Sequence, residues 1–263
     1  MLEQDFAPLR EEPPAASPLP GIRRVGFADL LAVLLAGLDD FLRAPRFGLF
    51  FSAVYVLGGF LMTWLGAGTV VWTLALSLGF PLIAPFAAAG LYEVSRRIER
   101  GEPLTWEGVL GVVWRERTRQ LPWAGAIIVI YFLFYTFLAH MIFALFMGLS
   151  TLTNVSTSWE AFLTREGLTM IAVQAGVGGM LALLLYALTV VSLPLLLDKE
   201  VDFVSAMILS FNAVAQNPVV LGAWAGFIAV ATLVAMIPWF LGLFAVLPVL
   251  GHATWHLYRR ALG

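Results

Sequence analysis

The residue types best suited to chemistry are sparse, and the most suggestive pair is His252 and His256. Four residues apart on a helix, two imidazoles share a face and could both approach a metal ion or a haem. The run reads His252-Ala253-Thr254-Trp255-His256, without the glutamate that follows the first histidine in a zinc-protease helix, and no carboxylate on the same stretch completes a ligand set. A structural or headgroup-facing role is therefore expected for both, ahead of cofactor binding. His140, within an apolar run, is expected to be neutral and hydrogen-bonded to a neighbouring helix. The absence of cysteine removes thiol nucleophiles, disulfides and cysteine-ligated clusters. Neither a Gly-x-Ser-x-Gly elbow nor a phosphate-cradling loop occurs. The expectation is no catalytic residue, no enzyme activity and no cofactor.

Charge is concentrated rather than spread. Arg96, Arg97, Arg100, Arg115, Arg117 and Arg119 crowd one connection and are candidates for contact with anionic lipid or an acidic partner. Retention of positive loops during insertion explains them equally well. The long apolar stretches carry no charge in their interiors: Glu93 lies near the end of one, and Asp198, Lys199, Glu200 and Asp202 follow another. These acids and bases read as interfacial, snorkelling or capping residues. Ion-coupled transport thereby loses its usual intramembrane charge.

The elements that hold these residues follow from composition. Hydrophobic residues make up 60% of the 263, charged residues 12%, and mean hydropathy is +0.90, against about 25% charged in ordinary soluble domains. A net charge of −2 gives no basis for nucleic-acid binding. Runs of about 20 apolar residues, each long enough to cross a bilayer, are expected at about 48–66, 70–92, 123–146, 168–196, 219–237 and 239–257. The first and last pairs are joined so tightly that each must form an antiparallel hairpin. Basic residues collect on one side of this arrangement, which places both ends of the chain in the cytoplasm, with Arg165 alone opposite. Trp64, Trp72, Trp123, Trp239 and Trp255 fall near span ends, where amphipathic rings favour the interface. Residues 1–25, with their proline and glutamate, are expected to be a disordered tail ahead of one membrane domain over 26–263.

Before each pair of spans lies a shorter stretch with helical periodicity: Phe27, Leu30, Leu31, Leu34, Leu35, Leu38 and Phe41; then Trp106, Val109, Leu110, Val113 and Trp114, with Thr105 as N-cap; then Val204, Met207, Ile208 and Phe211 after Asp202. Pro45, Pro122 and Pro218 follow them, marking corners where a helix in the interface turns into a span. The expected fold is thus all-α, six transmembrane helices in three pairs, each pair preceded by a cytoplasmic-side amphipathic helix, in a threefold pseudo-repeat. Gly176, Gly178, Gly179, Gly222 and Gly226 suggest close helix packing within the chain first and dimerisation second. Asn154-Val155-Ser156 reads as a chance glycosylation sequon.

Three runs carry a family resemblance. Gly90-Leu91-Tyr92-Glu93-Val94-Ser95-Arg96-Arg97, Ser192 to Asp198 with Asn217-Pro218, and Leu247 to Arg259 with its Gly-His-Ala-Thr-Trp-His core together resemble the bacterial membrane family catalogued as domain of unknown function 2189. The resemblance spans roughly Gly26 to Arg260 and implies a multi-pass protein of the bacterial inner membrane, without an established activity. Some members carry a label relating them to cytochrome c oxidase subunit I. His140, His252 and His256 are too few to bind two haems and a copper, so only an accessory role beside a respiratory complex would follow. The functional expectation is a non-catalytic accessory, assembly or scaffold protein whose partners are the lipid bilayer and another membrane protein. The alternative is a transporter or channel for an uncharged or lipid-like solute. A respiratory haem- or metal-binding component using His252 and His256 stands third.

Overall fold

The computed structural model describes residues 17–64, 70–148 and 162–263, with side chains throughout except those of 62, 63 and 70–82. The tight 65–69 link, the 149–161 loop with its sequon, residues 1–16 of the expected tail and the Trp72 side chain lie outside the described residues.

Every regular element among the described residues is helical. In chain order they are α1 (Phe27–Arg43), α2 (Pro45–Trp64), α3 (Val70–Arg100), α4 (Trp106–Glu116), α5 (Leu121–Met147), α6 (Arg165–Thr189), α7 (Ser192–Asp198), α8 (Phe203–Gln216), α9 (Pro218–Met236) and α10 (Leu243–Ala261). The start signals act as anticipated. The Thr105 hydroxyl accepts from the Gly108 N–H at 3.1 Å and the Asp202 carboxylate from the Ser205 N–H at 2.8 Å, capping α4 and α8. The Pro45 corner is a real turn, with α1 and α2 meeting at 101°, whereas Pro122 lies in the first turn of α5 behind Gln120 in a helical conformation (φ −87°, ψ −22°). Ala44 before Pro45 (φ −134°, ψ 48°) and Asn217 before Pro218 (φ −130°, ψ 48°) share one backbone conformation, pushed out of the helical region by the ring that follows.

Three described helices are long and apolar enough to cross a membrane: α5, α6 continued through α7, and α9. Counting the bent α1–α2 pair as one span makes four. The last hairpin is looser than expected. Its link runs over 237–242, with Trp239 and Phe240 at φ 52° and 63°, so α10 starts four residues later than the anticipated span.

Burial is lopsided. The main core joins the ends of α3, α6, α7 and α10 to α1, α8 and the start of α5, with Leu195, Ala253, Leu257 and Tyr258 almost inaccessible. Away from this end, the most apolar windows of α5 and α9 are only 11% and 17% buried. Backbone groups inside helices are already paired, so such faces can meet acyl chains without penalty. Trp64, Trp123 and Trp239 are exposed, as interface residues would be, but Trp255 is 1% exposed and belongs to the core.

Three other expectations change. Residues 17–25 are not a free tail: Arg23 N–H donates to the Ala261 carbonyl, Ile22 pairs with Leu262, and Val25 is buried. The single apolar stripe of α1 is two stripes: Leu30, Val33, Gly37 and Asp40 face the core, while Phe27, Leu31, Leu35, Leu38 and Leu42 face outward. Among the described residues, a Cβ on Gly176, Gly179, Gly222 or Gly226 would meet nothing within 4 Å, so these glycines seat no described neighbouring helix, while Gly178 abuts Tyr135.

Candidate functional site

Two features could carry function: a polar junction where the helix ends converge, and an apolar cavity beside it.

The junction is assembled from α10 outward. A Cβ at Gly37 would lie 2.6 Å from the Ala253 nitrogen and the Val249 carbonyl oxygen. That missing side chain lets α1 lie directly against α10 and brings Asp40 to His256, Oδ2 to Nε2 at 2.8 Å. One turn earlier, fully buried His252 places Nδ1 2.8 Å from the Ser95 hydroxyl of α3. The two histidines thus have different partners on different helices. His140 also departs from expectation: its Nδ1 meets the Thr136 carbonyl of its own helix at 2.7 Å.

Beyond the histidines lie ion pairs. Glu93, 1% exposed, sits 2.5 Å from Arg96 and 2.7 Å from Arg97, so it is a buried, doubly paired carboxylate rather than a snorkelling one. Asp198, at the end of α7, accepts from the Tyr258 hydroxyl at 2.8 Å and from Arg100 at 3.3 Å. Glu99 accepts from the Trp255 indole N–H and from Arg259, both at 3.0 Å. Arg119 pairs with Glu116 at 2.9 Å and with Glu200. Burial of Glu116 raises its pKa despite Arg119 beside it. Of the six candidate arginines, Arg96, Arg97, Arg100 and Arg119 are therefore committed within the molecule, while Arg115 and Arg117 remain exposed. Among the described residues no group of three or more His, Asp or Glu is placed to hold a metal ion. The junction fastens the ends of the helices to one another.

Asp40, Ser95 and Asn217 were not singled out for chemistry or contact by sequence. Asp40 had one usable signal: it continues the i, i+3, i+4 phase of Leu30, Val33 and Gly37. Asn217 accepts from the Val25 N–H at 2.9 Å and donates to the Arg23 and Ala213 carbonyls at 3.2 and 3.0 Å. Nothing local in Asn217-Pro218 points to a partner 192 residues away.

The cavity lies next to this junction. It is an open-sided cavity of about 430 Å³ between α2, α3, α5, α6 and α7, with Tyr55, Pro85, Ala88, Phe132, Leu185 and Thr189 among its walls. A neighbouring cavity of about 180 Å³ shares Tyr55 and Ala88 with it, and another of about 190 Å³ between α5 and α6 shares Phe132 and Leu185. Among the described residues no charged side chain lines any of the three.

This arrangement of apolar helices fastened at one end agrees with a comparison to known families. Residues 72–198 match the family model described as Predicted integral membrane protein (DUF2189). No curated protein and no solved structure matches the chain. The DUF2189 region covers most of α3 and all of α4, α5, α6 and α7, and so includes Glu93, Ser95, Arg97 and Asp198. The Leu247 to Arg259 run, with His252 and His256, lies outside the matched residues, as do Asp40 and Asn217. The junction therefore joins residues of the matched stretch to the first and last helices.

Proposed function

We propose that this protein is a non-catalytic, six-span protein of a bacterial cytoplasmic membrane whose intramembrane cavity holds an uncharged, lipid-like molecule. The observation that carries the reading is the 430 Å³ cavity. It falls within the volume range of small-molecule sites, its walls are almost wholly apolar, and the Thr189 hydroxyl is already committed to the Leu185 carbonyl. An acyl chain or another neutral hydrophobic solute suits such walls, whereas an ion would be left without partners.

Six spans are supported by the lengths of α2, α3 and α10, which are 20, 31 and 19 residues. The matching Ala44-Pro45 and Asn217-Pro218 corners favour a repeated unit of interfacial helix and span pair. The scaffold or accessory reading, including a respiratory complex as partner, rests on the exposed faces of α5 and α9; acyl chains would cover those faces equally well, so the cavity favours ligand binding.

The test is lipid extraction from protein purified in neutral detergent, followed by mass spectrometry, for wild type and for Ala84→Phe and Ala88→Phe. Wild type should retain one class of neutral or lipid-like molecule, and the filled variants should lose it while remaining monodisperse. Equal retention by the filled variants, or a wild type that carries nothing above bulk lipid, would sink the reading.

A further inference from the structure

Helix α4 presents Trp106, Leu110 and Trp114 at consecutive four-residue intervals, 37%, 38% and 65% exposed, while Val109 and Val112 are buried beneath. Phe50 of α2 extends this strip, its ring edge-on to Trp106 at 5.1 Å. An arginine closes each end. The Arg46 guanidinium lies 4.9 Å from the Phe47 ring and 6.0 Å from Trp106, and that of Arg117 lies 3.3 Å over Trp114. The two tryptophans are eight residues apart, about 12 Å along the helix.

Other arginines are spent on ion pairs. Arg43, Arg96, Arg97, Arg100, Arg119, Arg259 and Arg260 each have a carboxylate within ion-pair reach. Among the described residues Arg46, Arg117 and exposed Arg115 beside Trp114 have none, and the same holds for Arg23, Arg24 and Arg165; of these six, Arg46 and Arg117 are the two that rest on aromatic rings. Glu107 is the only exposed carboxylate on α4. An aromatic strip with exposed faces suits the boundary between headgroups and acyl chains. Arg46 donates one N–H to the Leu104 carbonyl at 2.8 Å and keeps its other donors, while the Arg117 side chain makes no hydrogen bond among the described residues; the donors left over in such a planar fork match phosphate oxygens.

We propose that α4 and the start of α2 form a binding surface for the headgroups of anionic phospholipids, with Arg46 and Arg117 taking the phosphates and the aromatic strip lying against the upper acyl chains. The occupant is a lipid rather than an acidic protein because the cations sit on the apolar strip itself, at the ends of spans, and not on a separate hydrated patch. This surface is independent of the cavity and its ligand.

The experiment is native mass spectrometry of the full chain in neutral detergent, titrated with phosphatidylglycerol or phosphatidylcholine. Phosphatidylglycerol should bind about tenfold more tightly, R46Q/R117Q should abolish that preference, and R165Q at the start of α6 should keep it. Equal binding of the two lipids, or an unchanged preference in R46Q/R117Q, overturns the proposal. So does displacement of phosphatidylglycerol by equimolar glycerol phosphate, which would mark a free-anion site, or by an acidic peptide. R117E, at a side chain with no hydrogen bond to the protein among the described residues, covers the case in which the double variant fails to fold. It must weaken phosphatidylglycerol binding several-fold, and unchanged binding overturns the proposal equally.

Discussion

Gly37 and Gly222 sit at similar-looking positions in apolar helices, yet their surroundings are opposite. At Gly37 the backbone of α10 occupies the space of a Cβ; at Gly222 that space is open. Gly37→Ala should therefore force α1 away from α10 and destabilise the protein by about 1–3 kcal/mol. The G222A/G226A pair should leave detergent-solubilised thermal stability unchanged or slightly raised, since alanine is the better helix former. Thermal unfolding of both variants checks the contrast, and an unstable G222A/G226A would mean that a partner helix, such as that of a second copy, packs there. Asn217 makes a sharper case, because Asn217→Ala orphans the Val25 N–H and frees the 17–25 segment. A loss of about 2–3 kcal/mol is expected from its three hydrogen bonds. Sequence could rank these residues as small or polar, but not say which had a neighbour, because the neighbour comes from the far end of the chain.

Elements were more legible than their orientation. Capping residues and corner prolines depend on adjacent residues, so Thr105, Asp202, Pro45 and Pro218 mark helix starts before any tertiary contact is considered. Which apolar residues face the core is a different question in a membrane, because both lipid and protein accept leucine. That is why the α1 stripe reads as one face in sequence and is two in space. The α8 cap supplies a measurable pH effect. The Ser205 N–H holds the Asp202 carboxyl below its usual value of 3.8. Its folded pKa is thus below the unfolded one. Its stabilisation is fully present above the unfolded value and is lost as pH falls through the folded one. Stability should be insensitive to this group between pH 8 and 6 and fall at about pH 4 and below, and Asp202→Asn should flatten that acid limb. Asp202→Ala should cost about 1 kcal/mol at neutral pH. An acid limb identical in Asp202→Asn would remove the cap from the explanation.

For the molecule as a whole, sidedness is the most accessible prediction. The chain has no cysteine, so a single cysteine introduced at Arg117 or Arg165 can be labelled with a membrane-impermeant maleimide without background. The basic-side assignment expects Arg165→Cys to react in intact cells and Arg117→Cys only after lysis; the reverse pattern would invert the topology. The membrane character of the chain was open to reading from apolar length and charge distribution alone, since both are sums over many residues. The closure of the molecule was not. The Asp40 to His256 contact spans 216 residues and the Val25 to Asn217 bond spans 192, and no local pattern encodes such distances. This closure also sets an order of assembly. When ribosomal synthesis has completed α1, the histidine that will pair with Asp40 and the backbone that will fill the notch at Gly37 have not yet been made. The first helix must wait, its polar side wetted, until residues 249–262 follow. An interrupted chain would therefore carry an unpaired carboxylate and an open groove, features that distinguish unfinished protein from finished.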